Sequence, residues 1–288
     1  TPKGSVTLPV EKLLTGRSLS DEGTPKFSFV LQDDDQYQES DGQYQESDGQ
    51  YQKITNNNEG KGEFKISYNE KDINQTYHYK VSEIDDHKGG YSYDSTIYKV
   101  KVYVRDNGEG ELIPEVTIHK NDEEKAYEGE GKLNVQKTIV KADESGELAP
   151  VDKAVFTNTY RAEGSITLTA SKAYAEDVQT RLLANQYEFT VTENGKEVAK
   201  GTNALDGKIT FTEIKYKLTP DDTSVLGEHT YTVKETKGTD GAVLYDETEY
   251  TVKVKVSDDG SGILKAEVVG DTKEADLKFV NDLTKVKI

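Results

Sequence analysis

The stretch GSVTLPVEK at residues 4–12 returns later in the chain as GSITLTASK at residues 164–172. Both stretches alternate apolar and polar side chains, which is typical of a β-strand that buries one face. Each apolar face then carries a lysine, Lys12 in the first copy and Lys172 in the second, where the pattern requires an apolar side chain. The alternation predicts strands, and the two lysines are candidates for a buried functional site.

The repeat extends beyond this strand, because further sequence markers recur in the same order. Recurrence of this kind is the signature of a duplicated domain. The matching markers are 79–83 with 231–235, 93–96 with 245–248, and 156–158 with 279–281. We therefore expect two tandem domains, at residues 1–162 and 163–288. Residues 284–288 alternate like the first strand of a further module.

Short alternating segments separated by turn signals run through both copies. Asn-Gly and Asp-Gly pairs, which favour hairpin turns, occur at 107–108, 194–195, 206–207 and 259–260. Alternation is clear at 5–14, 62–68, 77–84, 97–104, 165–172, 187–192, 208–216, 229–236 and 249–256, which are therefore predicted as strands. Only residues 175–186 suggest a helical turn. This spacing predicts an all-β fold with two tandem immunoglobulin-like β-sandwich domains.

One segment of the first domain is of low complexity. The heptad QYQESDG begins at residue 36 and again at residue 43, and a third QYQ begins at residue 50. Heptad duplication predicts an extended Tyr/Gln-rich loop at 33–53, since loop extension costs little stability. Two interpretations stay open: an inert loop, or an exposed loop that binds a host ligand through tyrosines, which make good contact area.

Composition excludes several classes of function. The 288 residues include 54 Asp and Glu against 36 Lys and Arg, a formal net charge of −18. This charge argues against nucleic acid and against anionic membranes as partners. The absence of cysteine excludes disulfides and cysteine nucleophiles. The four histidines lack metal or triad spacing, and the acidic turns at 106–108 and 258–260 lack the glutamate of a calcium loop. We expect no cofactor, no metal and no turnover of an external substrate.

Two more polar side chains in each copy lie on apolar strand faces: Glu83 and Asn158 in the first, Glu235 and Asn281 in the second. Burying a lone charge is costly, so these groups should meet the buried lysine or shift to neutral forms. A neutral lysine amine is a nucleophile, and a protonated glutamate can polarise an amide carbonyl and shuttle protons. Attack of the lysine Nζ on the asparagine Cγ, with loss of ammonia, would then form an amide cross-link.

The alternative interpretation is three unrelated polar residues in each copy. The lysine tip would reach solvent, the glutamate would sit at a strand end and the asparagine at a cap. Recurrence of the set at matching places favours the cross-link. The sequence thus predicts Glu83 and Glu235 as catalytic proton shuttles, and it predicts Lys12–Asn158 and Lys172–Asn281 as the cross-linked pairs.

The joint pattern resembles the isopeptide domains of streptococcal major pilins, which are relatives of collagen-adhesin B-type domains. The resemblance rests on Tyr-x-Val-x-Glu at 79–83 and 231–235, Tyr-Asp-x-Thr at 93–96 and 245–248, and the terminal Phe-x-Asn motifs. It covers nearly the whole chain. It implies spontaneous intramolecular isopeptide bonds, a load-bearing role in the cell wall or pilus of a Gram-positive bacterium, and neighbouring domains or subunits as partners.

The two copies differ from one another and from the family pattern. The Glu-to-Asn spacing is 75 residues in the first copy and 46 in the second, so an insertion is expected within 120–150. Lys120 lies where a pilin would carry its intersubunit linkage lysine, but the usual Tyr-Pro-Lys motif is absent. A stalk module is therefore the first expectation for function, and an adhesin module that binds through loop 33–53 is the alternative.

Overall fold

The structure, a computed structural model, describes residues 1–34, 51–121, 137–140 and 153–285. The chain divides into two compact units, Thr1–Tyr160 and Arg161–Ile288. Each is built from β-strands that form sheets in a sandwich-like arrangement, which confirms the predicted all-β fold with two tandem β-sandwich domains.

Within its described residues, the first unit contains two sheets and a short 3-10 helix, Glu70–Asp72. Its strands are β1 Lys3–Thr15, β2 Ser28–Asp33, β3 Tyr51–Thr55, β4 Lys61–Asn69, β5 Thr76–Glu83, β6 Tyr91–Ser92, β7 Ile97–Asp106, β8 Leu112–Asn121, β9 Lys137–Val140 and β10 Ala154–Tyr160. The smaller sheet has the order β4-β1-β10-β6, and the larger has the order β3-β2-β5-β7-β8-β9.

The second unit follows the same plan, with a 3-10 helix at Glu274–Asp276. Its strands are β11 Ala162–Ile166, β12 Thr169–Tyr174, β13 Glu188–Glu193, β14 Lys196–Thr202, β15 Lys208–Thr210, β16 Ile214–Leu218, β17 Gly227–Glu235, β18 Val243–Leu244, β19 Glu249–Asp258, β20 Leu264–Val269 and β21 Lys278–Leu283. The sheet orders are β11-β16, β15-β12-β21-β18 and β14-β13-β17-β19-β20.

Three details of the predicted secondary structure are wrong. The strand expected at 165–172 is split into β11 and β12, and the one at 208–216 is split into β15 and β16. Both breaks occur because β11 and β16 pair with each other, whereas β12 pairs with β15 and β21. The segment 175–186 forms isolated turns instead of a helical turn, because the N–H groups of Ala175 and Asn185 bond outside the segment, to the carbonyl oxygens of Asn281 and Asn203.

In both units an early strand and the last strand are parallel neighbours, β1 with β10 and β12 with β21. The core lies between this pair and the larger sheet. Phe156 on β10 packs against Phe29 with ring centroids 5.2 Å apart, and Phe279 on β21 packs against Phe189 at the same 5.2 Å. All four rings are fully buried. This repeated packing fixes the strands on which the predicted site residues lie.

Two features of the first unit fall largely outside the described residues. The loop predicted at 33–53 joins β2 to β3, which pair as an antiparallel hairpin, and its residues 35–50 lie outside the described ranges. The predicted insertion within 120–150 contains β9, which pairs with β8 through Val116–His119. Residues 286–288 of the strand-like segment 284–288 also lie outside these ranges.

Candidate functional site

Both predicted lysines lie in the core. Lys12 on β1 is 1% exposed and Lys172 on β12 is 3% exposed. Their main chains are held in the same way, because Lys12 N donates to the Gly60 carbonyl at 2.6 Å and Lys172 N donates to the Gly207 carbonyl at 2.7 Å. These hydrogen bonds hold the lysine backbone in place. The alternation of the strand then directs each lysine side chain into the core.

Each buried lysine meets the predicted glutamate. Lys12 Nζ lies 2.5 Å from Glu83 Oε2, and Lys172 Nζ lies 3.1 Å from Glu235 Oε2. All four side chains are fully excluded from solvent. The glutamates end strands β5 and β17 of the larger sheets, where Glu83 pairs with Phe29 and Glu235 pairs with Phe189. The lysine and its glutamate thus reach each other across the core from facing sheets.

The predicted asparagines complete both sites, and both are 0% exposed. Asn158 Nδ2 donates to Glu83 Oε2 at 3.1 Å, the same oxygen that Lys12 contacts. Asn281 Nδ2 donates to Glu235 Oε1 at 2.9 Å, so in the second unit the amide and the amine occupy different oxygens. The structure therefore brings together all six predicted site residues, three in each unit.

Burial moves Lys12, Lys172 and Glu83 toward their neutral forms. It lowers the pKa of Lys12 to about 8, although the contact with Glu83 acts in the opposite direction. Burial also lowers the pKa of Lys172. It raises the pKa of the Glu83 carboxyl, because loss of solvent disfavours the charged form. The lowered lysine pKa values favour the neutral amine, which is the form of lysine that acts as a nucleophile.

An aromatic ring lies next to each lysine, a feature that the sequence analysis missed. Lys12 Nζ is 4.6 Å from the Phe27 ring centroid, and Lys172 Nζ is 4.8 Å from the Tyr187 ring centroid. A buried asparagine anchors each ring through its backbone: the Phe27 N–H donates to Asn56, and the Tyr187 N–H donates to Asn203. The signal was present in the sequence, since Asn-x-x-x-Gly occurs at 56–60 and again at 203–207.

A second missed contact involves the Tyr-Asp-x-Thr motifs. Asp94 N lies 2.9 Å from Asn158 Oδ1, and Asp246 N lies 2.8 Å from Asn281 Oδ1. Both are main-chain donors directed at a carbonyl oxygen of the site. The motif was visible as a marker of the repeat, but a backbone N–H carries no side-chain pattern from which its direction could be predicted.

Three other residues considered from sequence lie at hairpin turns or on β8. Asp106 and Asp258 accept the N–H of Gly108 and Gly260, as expected for the turn interpretation of those segments. Lys120 lies on β8 opposite Tyr98 and is half-buried. The described residues contain no group of three or more His, Asp or Glu side chains that could hold a metal ion. Within the described ranges, no helix has the length and apolar character needed to cross a membrane.

Comparison with solved structures finds several similar chains. A variant of the major pilin from Streptococcus pyogenes is 16% identical, with 97% of each chain covered and a TM-score of 0.33. The T-13 major pilin of the same organism is 16% identical, with 98% of this chain and 99% of that chain covered and a TM-score of 0.34. The T3.2 major pilin is 17% identical, with 98% of each chain covered and a TM-score of 0.33.

Comparison with curated proteins finds no match. A family model does match the chain, and it does so twice, at residues 8–161 and 168–284. The model is that of FctA, the Spy0128-like isopeptide containing domain. The two matches cover most of the sequence and contain all six residues of the two sites, which confirms the resemblance drawn from the motifs. The chain therefore belongs to the family of Spy0128-like isopeptide-containing domains, of which it carries two copies.

Proposed function

We propose that the chain is a load-bearing module of a pilus or related surface polymer of a Gram-positive bacterium, locked in each domain by an isopeptide bond. The bonds join Lys12 to Asn158 and Lys172 to Asn281, and the domains correspond to residues 1–162 and 163–288. The observation that carries the proposal is the repeated buried contact of one lysine and one asparagine with a single glutamate. Membership of the isopeptide-domain family supports it.

The reaction balances within each site. The neutral amine of Lys172 attacks Cγ of Asn281, and an N–C bond forms while the Cγ–Nδ2 bond breaks. Glu235 accepts a proton from the attacking nitrogen and delivers one to Nδ2, which leaves as ammonia. No oxidant or cofactor is consumed, and each site reacts once. The contacts of Glu235 with both nitrogens support this shuttle, because one carboxyl group reaches the donor and the leaving group.

Burial and proximity supply the rate. Lys12, Glu83 and Asn158 are held by strands of two packed sheets, so no diffusional encounter is needed and the reacting groups lose little further entropy. The lowered pKa of Lys12 increases the fraction of neutral amine near neutral pH. These effects act only in the folded domain, so the bond would form after folding and then retain the fold.

The mass of the intact, denatured protein tests the proposal. We expect the wild-type chain to weigh two ammonia molecules less than its sequence. The Glu83→Ala and Glu235→Ala variants should each regain one ammonia, because each lacks the proton shuttle of one site. A wild-type mass equal to that of the plain sequence would show that the two sites are ordinary buried polar clusters, and the proposal would fail.

A further inference from the structure

One more group contacts the reacting amide in each unit, and it belongs to the main chain. Asp94 N donates to Asn158 Oδ1 at 2.9 Å and also reaches Glu83 Oε1 at 3.1 Å. Asp246 N donates to Asn281 Oδ1 at 2.8 Å. Each aspartate lies in the short connection between two strands, β6 to β7 in the first unit and β18 to β19 in the second. In both units a main-chain N–H thus contacts Oδ1 of the site asparagine.

We propose that this N–H is an oxyanion-binding donor for isopeptide formation and that the aspartate carboxylate is the group that positions it. The inference rests on the cross-linking function proposed above. When Nζ attacks Cγ, the C=O double bond opens and negative charge develops on Oδ1. A fixed N–H directed at that oxygen stabilises the charge more in the transition state than in the ground state. Collapse of the intermediate re-forms the carbonyl and expels Nδ2 as ammonia.

The carboxylate of Asp94 ties its own loop to the strand that carries the amide. Its Oδ2 accepts the N–H of Thr157 at 2.8 Å, and Thr157 immediately precedes Asn158 on β10. Its Oδ1 accepts the N–H of Thr96 at 2.8 Å, which closes the loop on itself. The Asp94 side chain therefore holds both the loop that carries the N–H donor and the strand that carries the acceptor, Asn158. This keeps the distance between the N–H and Asn158 Oδ1 fixed.

Asp246 makes the same two contacts in the second unit. Its Oδ2 accepts the N–H of Val280, the residue before Asn281, at 2.8 Å, and its Oδ1 accepts the N–H of Thr248 at 2.9 Å. An aspartate is suited to this task because its ionised carboxylate has two acceptor oxygens, whereas an asparagine amide has one. These contacts recur in both copies of the duplicated domain, so the N–H donor is positioned in the same way in each.

The aspartates remain ionised at neutral pH despite partial burial. Burial acts to raise the pKa of Asp94, but hydrogen bonds from Thr96 and Thr157 outweigh it and leave that pKa below its usual value. The pKa of Asp246 is lowered in the same way, with hydrogen bonds from Thr248 and Val280 outweighing burial. Both oxygens of each carboxylate therefore stay available as acceptors through the pH range in which the lysine amine becomes neutral.

The test compares the rates at which the two bonds form in one molecule. Protein made by cell-free translation is quenched in acidic denaturant at timed intervals, and the loss of each ammonia is followed by mass. In the Asp246→Ala variant we expect the second bond to form on the order of 10- to 100-fold more slowly. The unaltered first unit serves as the internal reference. Asp222→Ala is the matched control, because Asp222 holds a local turn with Ser224 outside the site.

A second readout separates positioning from general loss of stability. In the Lys172→Ala background no second bond can form, and the ¹³C shift of the Asn281 side-chain carbonyl reports the hydrogen bond at Oδ1. We expect Asp246→Ala to move this shift and Asp222→Ala to leave it in place. If Asp246→Ala prevents folding, the same rate measurement is made on Asp246→Asn, which keeps one acceptor oxygen. The rate at which that variant forms the second bond then decides.

The outcomes distinguish the two proposals. A folded Asp246 variant that forms its second bond at the wild-type rate, with the Asn281 shift unmoved, overturns the role of the aspartate while cross-linking stands. A wild-type protein that loses no ammonia contradicts the cross-linking function itself. A slowed second bond beside an unchanged first bond supports the aspartate as the group that positions the oxyanion donor.

Discussion

Lys172 and Asn281 lie on adjacent parallel strands but are not opposite each other, because Tyr174 is the residue that pairs with Asn281. Lys12 and Asn158 have the same offset, since Leu14 pairs with Asn158. Residues two apart on a strand share a face, so in both units the lysine and the asparagine enter the core diagonally from neighbouring strands. A bond between them would join a strand near the start of the unit to its last strand.

This diagonal link predicts how the second unit responds to force. Pulled from its ends, the wild-type unit should extend without releasing the segment 172–281, because load passes through the cross-link. In the Glu235→Ala variant the same segment should unravel and add on the order of 350 Å of contour length. Single-molecule force spectroscopy measures this step. A full unfolding step in the wild-type protein would contradict the load-bearing role.

The cross-link should also raise resistance to chemical unfolding. Glu235→Gln keeps the shape of the side chain but removes the proposed proton shuttle, so the second unit should lose about 4 to 5 kcal/mol of stability, as for a disulfide closing a loop of roughly 100 residues. Denaturant titration, followed by mass analysis, measures the loss. Glu83→Gln is the matched variant and should weaken the first unit alone. Equal denaturant midpoints of unfolding for the variant and the wild-type protein would exclude a stabilising bond.

The pKa of Lys12 predicts a pH dependence in protein that cannot cross-link. In the Asn158→Ala variant the folded pKa of Lys12, about 8 with its partner glutamate in place, lies below the usual 10.5. Between these values the unfolded chain binds more protons than the folded one, so the first unit should become more stable as pH rises from about 8 to about 10. Denaturant unfolding across this range measures the slope. A second change, Lys12→Met, removes the titrating amine and should abolish the increase of stability with pH.

The glycine turns that hold the lysine strands should be sensitive to a single methyl group. A Cβ on Gly207 would collide with the Lys172 carbonyl oxygen, and the residue has a φ of +88°. Gly207→Ala should therefore destabilise the second unit and slow its cross-link. Gly195→Ala is the control: its φ is +78° but nothing lies within 4 Å of an added Cβ, so only about 1 kcal/mol of backbone strain is expected. Similar losses of stability in Gly207→Ala and Gly195→Ala would argue against a collision at Gly207.

The sequence indicated which side chains meet in the core better than it indicated the groups that hold them in place. Lys12 and Lys172 interrupt apolar alternation, and a buried lysine is conspicuous in such a pattern. The N–H of Asp246 could not be found in this way, because every residue except proline has one and its direction depends on tertiary structure. The split between β11 and β12 was hidden for a similar reason. Alternation continues through 165–172, and side-chain periodicity does not record a change of hydrogen-bonded partner.

The outer edges of the two larger sheets end differently. In the first unit the outermost strand is β9, which has 4 residues and pairs with Val116–His119 of β8. In the second unit β20 stops at Val269, where Gly270 turns the chain with a φ of +84°. An uncovered strand edge is a template on which another chain can pair. Each outermost strand is short and leaves few unpaired main-chain groups, so a fibre built from such modules would resist sideways fusion of its sheets.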